Sequence, residues 1–141
     1  MSLFHQKWLT LWAWGVALFG LGLAGMGFAA TDGFARFFFD LVGSPVTADP
    51  GAQFRFAVGL MGCVSMGWGL TFAAAFRAAF ATPDVQAATV WRMLLMAALA
   101  WYLLDSLISI ATGFPLNAVS NTVLLALFLF PVIRSGVLKR A

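Results

Sequence analysis

Residues 90–112 read VWRMLLMAALAWYLLDSLISIAT. Past Arg92 the one charged side chain in this stretch is Asp105. A hydrocarbon core takes about 20 helical residues to cross, so the stretch predicts a transmembrane helix. Turned at about 100° per residue, it puts Trp101, Asp105, Ser109 and Thr112 on one face, with Tyr102 and Ser106 at the edge. Leu99, Leu103, Leu104, Leu107 and Ile110 take the rest of the circle. Lipid cannot hydrogen-bond the polar face, which must therefore turn toward other helices. An aspartate at mid-bilayer costs about 2.5–3.5 kcal/mol on insertion scales. Asp105 lies roughly 10 Å along the axis from Thr112, where the cost is lower but still asks for a partner.

Three further apolar runs flank this one. They are residues 8–30, introduced by Lys7, residues 54–80, from beside Arg55 to around Arg77, and residues 116–133, followed by Arg134, Lys139 and Arg140. Whole-chain composition agrees: 62% of the residues are hydrophobic and 9% charged, where soluble domains carry about 45–50% and about 25%. A chain of 141 residues cannot hide that much apolar surface within itself. The expectation is one all-α domain over residues 1–141, a bundle of four transmembrane helices. Gly27-Phe28-Ala29 resembles a signal-peptide cleavage site, but the first run exceeds the 7–15 apolar residues of a signal core and reads as an uncut anchor.

Between the first two runs, residues 33–41 read GFARFFFDL. Phe34, Phe37, Phe38 and Leu41 fall on one side of a helix, with Arg36 and Asp40 elsewhere. This predicts a short helix in the membrane interface of the first outer loop, followed by turns at Gly43-Ser44-Pro45 and Asp49-Pro50-Gly51. Within the second run Gly59, Cys63 and Gly67 repeat every fourth residue, as do Ser65, Gly69 and Ala73. Small residues at this spacing predict close helix packing in lipid. Pro83 suits the first turn of the next helix, and Gly113-Phe114-Pro115 makes the turn into the fourth. Lys7, Arg77, Arg92, Arg134, Lys139 and Arg140 lie on one side of a four-span layout, with Arg36 and Arg55 on the other. The bias places both termini in the cytoplasm, and a bacterial inner membrane is expected.

The candidate site centres on Asp105. Arg55 opens the second span, and Asn117 and Asn121, with Ser120 beside them, open the fourth at similar depth. Asp105 is expected to pair chiefly with Arg55 and secondarily with Asn121. Trp101, Tyr102 and Ser109 complete the candidate ligand-binding set. The pattern argues against several chemistries. A lone carboxylate without a nearby His, Cys or second acid makes a poor general acid–base pair. The serines have no histidine base, since His5, the one histidine, lies outside the span. No metal-ligand spacing occurs, and the dispersed basic residues form no nucleic-acid stripe. Cys63 is the one cysteine and makes no internal disulfide.

The layout resembles the DoxX-like group of small four-helix bacterial membrane proteins. The resemblance rests on a second span opening with a basic residue and then glycines, Arg55 to Gly69. It rests also on a third span opening with Arg92 and bearing Asp105-Ser106, and on the Gly113-Phe114-Pro115-Leu116-Asn117 link. It implies a quinone-linked or accessory role in a membrane redox complex. The expected function is a non-catalytic membrane protein, an accessory subunit of a larger membrane complex or a self-associating component surrounded by lipid. The alternative is a binder or carrier of a quinone, lipid or pigment at the polar cluster. A membrane enzyme acting on a lipid-soluble substrate is a third class.

Overall fold

The structure, a computed structural model, describes residues 1–139, apart from the side chains of Asp84 and Val85. Arg140, counted above among the basic residues, lies outside the described residues. The described chain is helical, with no strand: α1 (Leu3–Ala24), α2 (Gly33–Leu41), α3 (Gly51–Ala81), α4 (Asp84–Ala111) and α5 (Pro115–Arg134). Single 3₁₀ turns follow α1 at Gly25–Gly27 and α5 at Val137–Lys139. Four of the helices are long and apolar enough to cross a membrane.

The predicted spans are present with shifted ends. The first helix starts at Leu3 rather than Trp8, because the Ser2 hydroxyl accepts the His5 amide N–H (3.4 Å) and caps it. It stops at Ala24, six residues early, because the chain reverses there. A side chain at Gly25 would meet the Thr31 carbonyl at 2.5 Å, and the Thr31 hydroxyl donates to the Gly25 carbonyl at 2.8 Å. Pro83 serves as the residue before α4 and not within its first turn. α2 has the bounds read from sequence, Gly33–Leu41.

The chain forms two compact units. One holds residues 13–72: the second part of α1, α2 and most of α3. Here α1 and α3 touch backbone to backbone. A Cβ on Gly62 would strike the Ala24 amide nitrogen, one on Gly20 would strike Met66, and one on Gly69 would lie 2.5 Å from the Ala17 nitrogen. The close-packed stripe is thus Gly59, Gly62 and Gly69. Of the expected repeat Gly59, Cys63 and Gly67 only Gly59 is used: Cys63 is exposed and Gly67 has open space around it. The contact takes Gly59 from one expected repeat and Gly69 from the other, and Gly62 belongs to neither, so the neighbouring helix and not the repeat decides which small residues are used. Leu23, Met26, Ala35 and Val58 form the core of this unit, ringed by Phe19, Phe38, Phe39, Val46 and Phe54.

α2 divides its apolar arc in two. Ala35 is fully buried and Phe38 meets Phe19 edge to face at 5.0 Å. Phe37 and Leu41, at 63% and 62% exposure, face outward. The Phe34 ring rests on Gly22, where any side chain would collide with it.

The other unit holds residues 1–12 and the chain from Ala73 onward. Aromatic rings fill it: Phe76 stacks on Trp91 (5.6 Å) and on Phe128 (6.0 Å), and all three are essentially inaccessible. Pro131 lies inside α5. Having no N–H, it leaves the carbonyl of Leu127, one turn back, without its helical donor. The Trp8 indole N–H donates to that carbonyl at 2.8 Å, and the Trp12 indole does the same for Leu124 at 2.9 Å. Arg92 reaches the Leu138 carbonyl at 3.0 Å and ties the start of α4 to the end of the chain.

Candidate functional site

The turn Thr112-Gly113-Phe114 folds α5 back along α4. Gly113 adopts φ +89°, which glycine reaches without strain, and Pro115 starts α5. The returning helix places Asn117 and Asn121, one turn apart, opposite the polar face of α4. Both amide nitrogens donate to Asp105 Oδ1, at 3.0 Å from Asn117 and 2.7 Å from Asn121. Ser109 adds a third contact at 3.2 Å and also donates to the Asp105 carbonyl at 2.7 Å. Asn117 further donates to the Ser109 hydroxyl (2.8 Å), and Asn121 lies 3.4 Å from the buried Ser106 hydroxyl. One turn deeper, the Tyr102 and Thr122 hydroxyls pair at 3.1 Å.

The orientation of both amides follows from chemistry. An ionised carboxylate only accepts, so each Asn turns its NH₂ and not its oxygen toward Asp105. The carboxylate also faces the first two turns of α5, whose N-terminal dipole end favours an anion. Hydrogen bonds to a charged group contribute about 1.5–3 kcal/mol each, enough in sum to offset the insertion cost of an aspartate near a helix end.

Arg55, expected as the chief partner of Asp105, has its partners within its own unit, as Asp105 has in the other. Arg55 Nη1 sits 3.0 Å from Asp32 Oδ2 and donates to the Met26 carbonyl at 3.2 Å. Arg36 Nε meets the same Asp32 oxygen at 3.0 Å, while its other nitrogens donate to the carbonyls of Val46, Thr47 and Ala48. Partial burial alone would raise the Asp32 carboxyl, but hydrogen bonds and charge from Arg55 and Arg36 outweigh it and hold the group below its ordinary value of 3.8. Asp32 escaped the sequence reading because it lies outside every apolar run. Its signal was the spacing of Asp32 and Arg36 at i, i+4.

Of the predicted site residues, Asp105, Asn117, Asn121 and Ser109 form one network. Tyr102 extends it along the same seam, and Trp101 is half-buried on α4 a turn before Asp105. Thr112 and Ser120, placed near the cluster by sequence, instead donate to carbonyls of their own helices, Ile108 and Leu116. Among the described residues no group of three or more His, Cys, Asp or Glu could hold a metal ion.

No family model, curated protein or solved structure matches this chain.

Proposed function

We propose that this chain is a non-catalytic integral membrane protein, a four-helix bundle serving as an accessory subunit or as one copy in a homo-oligomer. The observation that carries the reading is the bareness of α4. Of its most apolar window 17% is buried by the rest of the chain, against 44% for the first helix. Met96, Leu103, Leu107 and Ile110, each 61–65% exposed, form a stripe on the side of α4 away from Trp91, Ala98, Asp105 and Ser109. A continuous apolar stripe at heptad-like spacing suits another helix as well as it suits lipid. The polar groups of the α4–α5 seam are engaged with one another, which supports a structural role for them. The excess of basic residues at one set of helix ends supports cytoplasmic termini in a bacterial inner membrane, with α2 lying in the opposite interface. Membership of the DoxX-like group belongs to the same proposal.

A second reading, binding of an amphipathic molecule at Asp105, is favoured by one observation. Among the described residues the carboxylate takes its hydrogen bonds on Oδ1 and none on Oδ2.

Single cysteines in a Cys63→Ala background test the first reading. Met96→Cys and Leu103→Cys should cross-link to a neighbouring chain in native membranes. Thr47→Cys should react with an impermeant thiol reagent from outside. Absence of cross-links along the whole stripe, with a monomer in gentle detergent, overturns the assembly reading. Protection of Thr47→Cys in intact cells, with labelling after lysis, overturns the orientation.

A further inference from the structure

We infer that the open side of the Asp105–Asn117–Asn121 cluster binds a primary ammonium group. The inference deepens the second reading above and is independent of the assembly reading.

The amide donors of the cluster are spent inward. Both hydrogens of each amide go to Asp105 and to a serine hydroxyl, Ser109 for Asn117 and Ser106 for Asn121. What remains is the one hydroxyl hydrogen of Ser106 and three acceptors: Asp105 Oδ2 and the two amide oxygens receive no donor from the described residues. Among those residues no fully enclosed side-chain oxygen or nitrogen lacks a partner, so none of these three oxygens is fully enclosed, although Asn121 as a residue is buried. Each amide oxygen sits one amide width from a nitrogen already on the carboxylate. The charge has hydrogen-bond donors but no cation, since both ion pairs among the described residues belong to Asp32. Arg92, the basic residue on the same helix, lies about 20 Å along the axis.

Three acceptors and one negative charge match a group with three N–H donors and one positive charge. A quaternary ammonium brings the charge without donors. A neutral hydroxyl brings one donor and leaves the charge. A calcium ion asks for six to eight oxygens, more than the cluster presents once Oδ1 is taken. Depth and surroundings fit the end of an amphipathic molecule. Asp105 is about 9 Å from the end of α4, and its rim is apolar and open, with Leu104, Ile108 and Leu116 exposed at 63%, 61% and 49%. The ammonium can come from an ethanolamine lipid headgroup or from a free amine, and the test separates them.

The full chain is placed in bilayer discs of equal parts ethanolamine and choline lipids, and the lipid retained on gentle release is weighed by native mass spectrometry. Ethanolamine lipid should be retained in preference. Asp105→Asn should lose that preference about tenfold, as expected when a charge-assisted hydrogen bond becomes a neutral one. In parallel, the wild-type protein in detergent is titrated with methylammonium and with tetramethylammonium at matched ionic strength. Methylammonium alone should raise the thermal midpoint and shift the carboxylate infrared band. A methylammonium response without lipid preference assigns the site to a free amine. A lipid preference with it assigns the headgroup. Equal effects of the two cations together with equal retention of the two lipids overturn the inference, and they do so even if Asp105→Asn fails to fold. Retention of a ligand lacking any amine, lost in Asp105→Asn, overturns the ammonium assignment while sustaining the binding reading.

Discussion

The two units solve one problem by different chemistry. In the membrane proposed for this chain, helices gain nothing from hiding apolar surface, so something else must hold them together. In the unit of residues 13–72 the answer is absence of side chain. Gly20, Gly62 and Gly69 let α1 and α3 approach until backbone meets backbone, multiplying dispersion contacts that are individually small. Ionised groups are kept to its rim, where Asp32 joins Arg36 and Arg55. In the other unit side chains do the joining. Rings pack around Phe76, indoles donate to carbonyls of α5, and a carboxylate with two asparagines sews α4 to α5. The first device has no tolerance for added volume. The second tolerates shape change but not the loss of a hydrogen-bonding group.

The largest effect should come from testing the first device. Gly62→Leu puts a side chain where the Ala24 backbone lies and should cost about 3 kcal/mol or more, beyond the usual range for overpacking because the obstacle is main chain. Gly67→Leu, on the same helix but facing open space, should stay within about 0.5 kcal/mol. Thermal unfolding of both in detergent checks the contrast, and equal losses would erase the distinction between the packed and the open glycines of α3.

The seam of the second unit gives an intermediate effect. Asp105→Ala strands the amide donors of Asn117 and Asn121 and should cost about 1–3 kcal/mol. A double-mutant cycle of Asp105→Asn with Asn121→Ala should show coupling of about 0.5–3 kcal/mol, whereas Asp105→Asn with Arg55→Gln should be additive within about 0.5 kcal/mol. Strong coupling to Arg55 would restore the pairing expected from sequence and remove the contrast between a charged rim and an amide-bonded seam.

The smallest effect concerns the rim. Because the folded Asp32 carboxyl lies below its ordinary value of 3.8, the unfolded chain takes up this proton first as pH falls. The stabilisation is therefore fully present above about pH 4 and is lost as pH drops through the lowered folded value. The thermal midpoint of the wild type should fall in that window, and Asp32→Asn, less stable above it, should converge on the wild type within it. Parallel pH profiles would mean that Asp32 is not selectively stabilised by its two arginines. Salt should weaken this contribution and leave the Gly62 effect unchanged.

Much of the architecture follows from local pattern. A run of apolar residues longer than a hydrocarbon core makes a span whichever neighbours it has, and so the four long helices were legible, with ends displaced by caps and turns such as Ser2 and Thr31. The period of residues 33–41 marked α2 to the residue, and the period of α4 grouped Asp105 with Ser109. Choice of partner is not local. A helical face says which residues look the same way, but not which helix they meet. That Asp105 takes Asn117 and Asn121 while Arg55 takes Asp32 depended on where the Gly113 turn and the reversal after Ala24 deliver each group. The same holds for the glycines. Two small-residue repeats coexist on α3, yet the contact takes Gly59 from one, Gly69 from the other and Gly62 from neither, because close approach is a property of two backbones at once. The indole of Trp8 on the Leu127 carbonyl needed both kinds of information. Pro131 alone dictates that a carbonyl is left open, and the packing of α1 against α5 within the unit supplies the donor.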